Sequence, residues 1–402
     1  MNDDHNQCIN NGKRKIMSNK HATIDPSVPI KRQSNIELLR ILGLFVILCH
    51  HYVVNSGIMQ NIDPVINRGG YWFLSYWGMW GKTGINIFIL ISGYFMCKSD
   101  LTIKRYCKVA FEIYFYNFII YFALLVSGYE SIGLKRIYKL FFSPLIYANG
   151  SGNFTSSFLI FYLFIPYMNL FIKRLSKKQF RSWILFLLFT FTGLSTLFFN
   201  NVIFGEVFWF CAVYFIGGYL RLYPPKWSEE LISSLRLLIL SLVLAWLSVA
   251  AIIVLNEKTG IQVNTSWFVA DANKLGAVLV GVFAFTTFKN LKIGYSRLIN
   301  FVAKTTFGIL LIHANSDAMR QWLWRDFLHV DTSYSLPVGA LIFRSVLITV
   351  IIFIVCSLID MIRICAVEKP VFMHFSVFEK MILRIGEIIK NVLFEVYKRV
   401  FY

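Results

Sequence analysis

One apolar segment carries ionisable side chains at a spacing that could support acid–base chemistry. Residues 36–55 hold Glu37, Arg40 and His51. On an α-helix each residue turns about 100° and rises about 1.5 Å, so Arg40 and His51 share nearly one azimuth about 16 Å apart, with Glu37 near the same line. By the same arithmetic His50 is turned about 80° away, and we expect it to be structural.

An imidazole at His51 has two interpretations. It could remove a proton from an alcohol near neutral pH, because its ordinary pKa lies close to that range. It could equally form a hydrogen bond that ties two membrane helices together. Glu37 and Arg40 at the other end of the segment favour chemistry, since ionisable groups inside membrane spans are costly to retain.

The whole chain is far more apolar than a soluble protein. It has 402 residues, of which 57% are hydrophobic and 15% are charged, and its mean hydropathy is +0.60. This composition excludes a soluble two-domain enzyme and indicates an all-α polytopic membrane protein with about ten transmembrane helices. The predicted spans are 36–55, 77–97, 108–127, 156–173, 182–200, 202–221, 234–255, 275–291, 298–314 and 338–361.

The excess of basic residues predicts an orientation in the membrane. Lys and Arg number 40 against 21 Asp and Glu, for a formal net charge of +19. They cluster before the first predicted span and after the second, fourth and eighth, which places both termini in the cytoplasm by the positive-inside rule. We expect a multi-pass protein of the cell (plasma) membrane that contacts lipid. The sequence has no basic groove interleaved with aromatic residues, so we expect no nucleic-acid partner.

Three regions are expected along the chain. Residues 1–31 are polar and basic and are predicted to be a disordered cytoplasmic tail, residues 32–370 form the ten-span membrane domain, and residues 371–402 form a basic amphipathic helix in the cytoplasm. The seven cysteines form no Cys/His cluster and fall outside the predicted outward loops. We therefore expect neither a metal nor a disulfide.

Further candidate residues lie near the predicted span ends. Arg105 and Lys108 follow the second span with Arg40 at the same, cytoplasmic mouth, where they are either ordinary interfacial cations or a phosphate-binding rim. His313 lies near an outer end at a depth similar to His51. Two histidines at one depth could line a single cavity, although His313 could also hydrogen-bond a neighbouring helix.

Several segments resemble those of a known family and follow one another in the same order as in that family. They are residues 35–52, 84–94, 161–169, 214–221, 306–313 and 358–363. In this order they are similar to the acyltransferase-3 family of integral membrane acyltransferases, in the form common in bacterial surface-polysaccharide loci. The resemblance covers about residues 32–370.

The resemblance implies about ten spans, a cytoplasmic acyl-CoA donor and an acceptor hydroxyl at or beyond the outer face. The family's critical histidine falls on His51 and its arginine on Arg40. Its acidic position falls on Glu37, where many members carry Asp, and its basic pair falls on Arg105 and Lys108. Lys108 stands where many members have a second arginine, which weakens a bidentate phosphate contact. A tyrosine usual in the ninth-span motif is leucine here.

These observations together predict a membrane O-acyltransferase, specifically an O-acetyltransferase without a metal. His51 would act as general base or acyl acceptor, Glu37 would orient Arg40, and Arg40, Arg105 and Lys108 would hold the phosphates of acetyl-CoA or another acyl-CoA. His313, Asn86 and Ser92 are candidates for the substrate cavity. The acceptor would be a cell-envelope glycan or a lipid-linked sugar, with envelope-biosynthesis proteins as possible partners.

Two other function classes stay open. A transporter or flippase for a glycan or lipid-linked sugar could line its passage with the same charges. It would tolerate loss of one histidine better than a change of cavity shape, and it would consume no acyl-CoA. A degenerate family member that scaffolds other envelope enzymes is the third hypothesis.

Overall fold

A computed structural model describes residues 32–142, 154–198, 205–373 and 375–401. Every regular element in these residues is a helix, which confirms the all-α prediction. The predicted tail at 1–31 lies outside the described residues.

The described residues of the first half of the chain form nine α-helices. They are α1 (Ser34–Val54), α2 (Ile58–Asn61), α3 (Arg68–Gly78), α4 (Gly81–Met96), α5 (Ile103–Val126), α6 (Leu134–Phe142), α7 (Phe154–Arg174), α8 (Lys177–Leu187) and α9 (Leu194–Leu197). A π-helical stretch, Leu188–Gly193, joins α8 to α9.

The described residues of the second half form nine more. They are α10 (Glu206–Leu222), α11 (Leu231–Thr259), α12 (Leu275–Asn290), α13 (Arg297–Val302), α14 (Thr306–His313), α15 (Asp317–Gln321), α16 (Val338–Arg363), α17 (Lys369–Met373) and α18 (Phe375–Phe401). The shorter elements are the 3₁₀-helices Lys226–Ser228, Ala303–Thr305 and Val330–Ser335 and the π-helices Trp322–Phe327 and Ile364–Glu368.

Six helices of the described residues are long and apolar enough to cross a membrane. They are Ser34–Val54, Ile103–Val126, Phe154–Arg174, Lys177–Leu197, Leu231–Thr259 and Val338–Met373. A seventh is possible if Arg297–His313 and Asp317–Phe327, which meet at a 94° bend, count as one span.

The predicted count of ten spans stays a prediction. A helix occupies part of each predicted segment, but α4 and α12 have 16 residues and α10 has 17. At about 1.5 Å per residue these helices reach roughly 24–26 Å, which is shorter than a hydrocarbon core of about 30 Å.

Helix α4 packs in the centre of the bundle, where glycine lets two backbones touch. A Cβ atom at Gly217 on α10 would lie 2.5 Å from the carbonyl oxygen of Leu90 on α4. Close approach of this kind is a common use of glycine in membrane helices. The contact brings α10 against α4, and α4 in turn contacts α1. These three helices form the frame on which the site is built.

The last membrane helix ends in a buried cluster of charges. The Arg363 guanidinium, 2% exposed, lies 2.6 Å from Asp360, 3.0 Å from Glu112 and 2.8 Å from Glu368. Tyr116 donates a hydrogen bond of 2.7 Å to Asp360. The cluster joins α5 to α16 and the π-helix that follows it. After α17, helix α18 spans most of the predicted amphipathic segment, and its position on a membrane stays a prediction.

Candidate active site

A cavity of about 640 Å³ lies at the end of the bundle that carries the histidines. Its size is within the range usual for small-molecule pockets. Residues of α1, α4, α5, α6, α10, α14 and α15 line it, together with the first residues of α7. Its polar and ionisable lining residues are His50, His51, Lys82, Asn117, Tyr121, Glu130, Arg136, Thr155, Glu206, Asn315, Ser316, Asp317 and Arg320.

Two contacts hold α5 and its following loop against the bent region after α14. The Asn315 amide donates a 2.9 Å hydrogen bond to Asn117 on α5. Tyr129 in the loop after α5 donates a 2.5 Å hydrogen bond to Asp326, and this bond raises the pKa of the Tyr129 phenol to about 12. The two contacts fix one wall of the cavity.

His51 and His313 form a hydrogen-bonded pair. The Nδ1 atom of His51 lies 2.8 Å from the Nε2 atom of His313. His51 borders the cavity, whereas His313 is 0% exposed and lies behind it. The sequence placed both residues near one depth, and the structure brings them into direct contact.

The partners of this pair determine where the protons lie. His313 Nδ1 is 2.6 Å from the carbonyl oxygen of Ile309, which can only accept, so His313 Nδ1 carries the proton. Neutral His313 then has an unprotonated Nε2, which accepts from Nδ1–H of His51. The remaining nitrogen of His51, Nε2, is left without a proton and is free to act as base or nucleophile.

His50 also borders the cavity, although the helical arithmetic turned it away from His51. Its Nδ1 atom lies 2.5 Å from the carbonyl oxygen of Gly78, the last residue of α3. The last carbonyls of a helix have no partner inside it, so the break between α3 and α4 supplies an acceptor. Gly81 at the start of α4 packs directly on the imidazole ring, where a Cβ atom would overlap it. The two histidine rings are 5.8 Å apart between centroids.

Arg40 and Glu37 lie at the opposite end of α1. The guanidinium is 3.7 Å from the Glu37 carboxylate, and the carboxylate is the more buried partner. The Arg40 Nε atom is buried without a hydrogen-bond partner among the described residues. Because Glu37 lies beside Arg40 and about 20 Å along the helix from His51, it is placed to orient the guanidinium.

The two other predicted cations differ in their surroundings. Arg105 is exposed, and among the described residues its side chain makes only long contacts of 3.4 Å, to the Ser99 hydroxyl and the Asp100 carbonyl oxygen. Lys108 forms a 3.0 Å ion pair with Glu368 and thereby joins the Arg363 cluster. Of the two, Arg105 is the more available to an incoming anion.

Asn86 and Ser92 on α4 lie away from the cavity lining. Asn86 is 2% exposed, donates to the carbonyl oxygens of Ala272 and Ala277, and accepts from the Trp209 indole. Its amide is thus engaged in packing α4 against α10 and α12. Ser92 is half-buried, and its hydroxyl donates a 3.0 Å hydrogen bond to the carbonyl oxygen of Phe88 in the same helix.

Tyr162 on α7 is a polar residue that sequence reasoning did not single out. It lies beside Ser92, and Arg40 and Arg105 are both within electrostatic range of its hydroxyl. A tyrosine in an apolar helix is a weak signal by itself, since the aromatic body is as well suited to packing as the hydroxyl is to binding. The structure groups it with the two arginines.

No group of three or more His, Cys, Asp or Glu residues within the described ranges has the geometry of a metal site. The described cysteines are all free thiols.

The fold and the site define a multi-pass helical membrane protein with a histidine pair beside a polar cavity. The acyltransferase-3 family model, described as an acyltransferase domain, matches residues 33–361. The chain therefore belongs to this family of membrane acyltransferases, which confirms the resemblance of its motifs. Comparisons with curated proteins and with solved structures gave no match.

Proposed function

We propose that the protein is an O-acetyltransferase that moves the acetyl group of cytoplasmic acetyl-CoA to a hydroxyl of a cell-envelope glycan or lipid-linked sugar in the plasma membrane. The observation that carries the proposal is the hydrogen-bond chain from His51 through His313 to the Ile309 carbonyl oxygen. It leaves the Nε2 atom of His51 unprotonated at the cavity, which is the state a general base needs.

In the proposed reaction, His51 Nε2 takes the proton of the acceptor hydroxyl while the hydroxyl oxygen attacks the thioester carbonyl. The C–O bond forms, the C–S bond breaks, and the proton on His51 passes to the departing CoA thiolate. The histidine ends the cycle neutral. In a two-step variant the same nitrogen first attacks the thioester carbonyl, so that an N–C bond forms, the C–S bond breaks and CoA leaves as the thiolate. The acceptor oxygen then attacks the acetyl carbonyl, the N–C bond breaks, and the proton of the hydroxyl passes to the thiolate.

The arginine end of α1 would bind the CoA phosphates. Arg40 is positioned by Glu37, Arg105 carries an exposed guanidinium, and Tyr162 lies within electrostatic range of both arginines. Guanidinium groups suit phosphate oxygens because they can donate two parallel hydrogen bonds. Lys108 lies at the same rim, where Glu368 balances its charge and its ammonium would contribute a hydrogen-bond donor to the phosphates. The thioester arm would then extend beside α1 across the roughly 16 Å that separates Arg40 from His51.

The test compares surface glycan from cells that carry the intact gene, a deletion, His51→Ala or a control, at matched expression. His329→Asn is the control, because His329 is exposed, borders no part of the cavity and has a positive φ of 47° that asparagine tolerates. Proton NMR measures the base-labile O-acetyl signal per glycan repeat.

We expect the deletion and His51→Ala to abolish this signal with glycan yield unchanged, and His329→Asn to retain it. If glycan export falls while acetylation per repeat is unchanged, the protein is a transporter and the enzyme proposal is wrong.

A further inference from the structure

The charges that line the cavity are matched in sign. Its lining includes the basic residues Lys82, Arg136 and Arg320 and the acidic residues Glu130, Glu206 and Asp317. They form three pairs: Lys82 with Glu206, Arg136 with Glu130, and Arg320 with Asp317. Because each of these cations is matched by a carboxylate, the six side chains carry no net charge, which disfavours a strongly anionic ligand. The cavity is suited to a neutral polar ligand.

The pair of Lys82 with Glu206 is incomplete. The Lys82 Nζ atom lies 3.9 Å from Glu206 Oε1, which is too long for a hydrogen bond. The other carboxylate oxygen, Oε2, is buried and has no hydrogen-bond partner among the described residues. A buried acceptor without a donor is costly, so this oxygen favours a ligand that brings an O–H or N–H group.

The incomplete pair shares the cavity with the histidines. Lys82 follows Gly81, whose Cα packs on His50, and Lys82 is within electrostatic range of both His50 and His51. A hydroxyl between Lys82 and Glu206 would accept from the ammonium and donate to the carboxylate. One hydroxyl of a sugar ring would then lie between Lys82 and Glu206, while the neighbouring hydroxyl of the same ring faces His51.

We propose that Lys82 and Glu206 form the acceptor-binding subsite and that the acceptor is an uncharged sugar, which they bind through a hydroxyl next to the one that reacts. This inference rests on the proposed acetyl transfer and specifies its acceptor. Lys82 and Glu206 determine acceptor affinity, while His51 performs the chemistry.

The experiment uses the full-length protein in liposomes with radiolabelled acetyl-CoA. Envelope glycan from the deletion strain is separated by anion exchange into an uncharged and an anionic fraction, and each is supplied as acceptor. The wild type is compared with Glu206→Gln and Glu257→Gln. Glu257 is the matched control, since it forms an ion pair with Arg68 away from the cavity.

We expect the label to enter the uncharged fraction. Glu206→Gln should raise the KM for this acceptor at least about tenfold, because the amide carries no negative charge and has a donor NH₂ in place of one acceptor oxygen, so the charge-assisted hydrogen bond is lost. Its KM for acetyl-CoA should match the wild type, which also shows that the variant is folded. Glu257→Gln should change neither constant.

Label in the anionic fraction, or an unchanged acceptor KM in Glu206→Gln, would overturn the inference and leave the acetyl transfer intact. If wild-type protein labels neither fraction, the proposed function fails, and the acceptor assignment fails with it.

Discussion

His313 offers the sharpest test of how the histidine pair works. It is fully buried, it borders none of the cavity, and it contacts His51 through a single 2.8 Å hydrogen bond. If it positions His51, its replacement should slow the reaction without removing the reacting group. A smaller effect than that of His51→Ala is therefore expected.

The magnitude follows from the one bond that is lost. A replacement that cannot accept leaves the Nδ1–H group of His51 without a partner and lets the imidazole place its proton on Nε2 instead. Loss of such a buried hydrogen bond costs about 1–2 kcal/mol, which corresponds to about a 5–30-fold lower kcat. Loss of a general base costs about 10²–10⁴-fold, so the two roles are separable.

Two amide substitutions of His313 separate the effect of its acceptor atom from the effect of its side-chain volume. Counted in bonds from Cβ, the amide atoms of glutamine match Nε2 of His313 and those of asparagine match Nδ1. His313→Gln keeps an acceptor for His51, whereas His313→Asn keeps only the donor to Ile309. Steady-state rates of acetyl transfer in liposomes should follow the order wild type, His313→Gln, His313→Asn, His51→Ala, with KM for acetyl-CoA constant.

Either of two results would refute this reasoning. If His313→Asn is as active as His313→Gln, the acceptor atom does not matter and the tautomer argument fails. If His313→Asn is as inactive as His51→Ala, His313 takes part in the chemistry directly.

Three further predictions concern the frame around the site. Gly81→Ala should lower the free energy of unfolding by about 1–3 kcal/mol, measured by thermal unfolding in detergent, because the new methyl group overlaps the His50 ring. Arg363→Met should lower it by about 3–5 kcal/mol in the same assay, since Asp360 and its neighbouring carboxylates are left buried without their cation. Arg40→Gln should raise the KM for acetyl-CoA about tenfold or more in the liposome assay, because a charge-assisted phosphate contact is lost.

The two stability predictions have matched controls. Gly339→Ala should be tolerated, because a Cβ atom there meets nothing within 4 Å, and Arg236→Met removes an exposed arginine. A free energy of unfolding equal to that of the wild type in Gly81→Ala or Arg363→Met would contradict the corresponding packing argument. A KM for acetyl-CoA equal to that of the wild type in Arg40→Gln would place Arg40 outside the donor site.

The helices themselves could be predicted from the sequence. Long apolar segments report burial in lipid or protein directly, and α1, α5, α7, α11 and α16 lie close to their predicted bounds. The Arg40–His51 stripe was also predictable, because both residues belong to one uninterrupted helix with fixed geometry.

Contacts between helices could not be predicted in the same way. The pairing of Lys108 with Glu368 joins residues 260 positions apart, and helical periodicity contains no information about such partners. His50 was expected to be structural because the arithmetic considers α1 alone. The gap between Gly78 and Gly81, which brings an acceptor to that ring, is a property of two other helices.

The ends of α1 and α14 have a consequence for charge. His51 lies in the last turn of α1, and His313 is the last residue of α14. The carboxyl end of a helix carries a partial negative charge, which favours a nearby cation by about 0.3–2 kcal/mol. In the proposed reaction the histidine pair becomes positive when His51 takes a proton, and two such helix ends meet there. The backbone dipoles would then act in the place that a carboxylate occupies behind the histidine of many hydrolases.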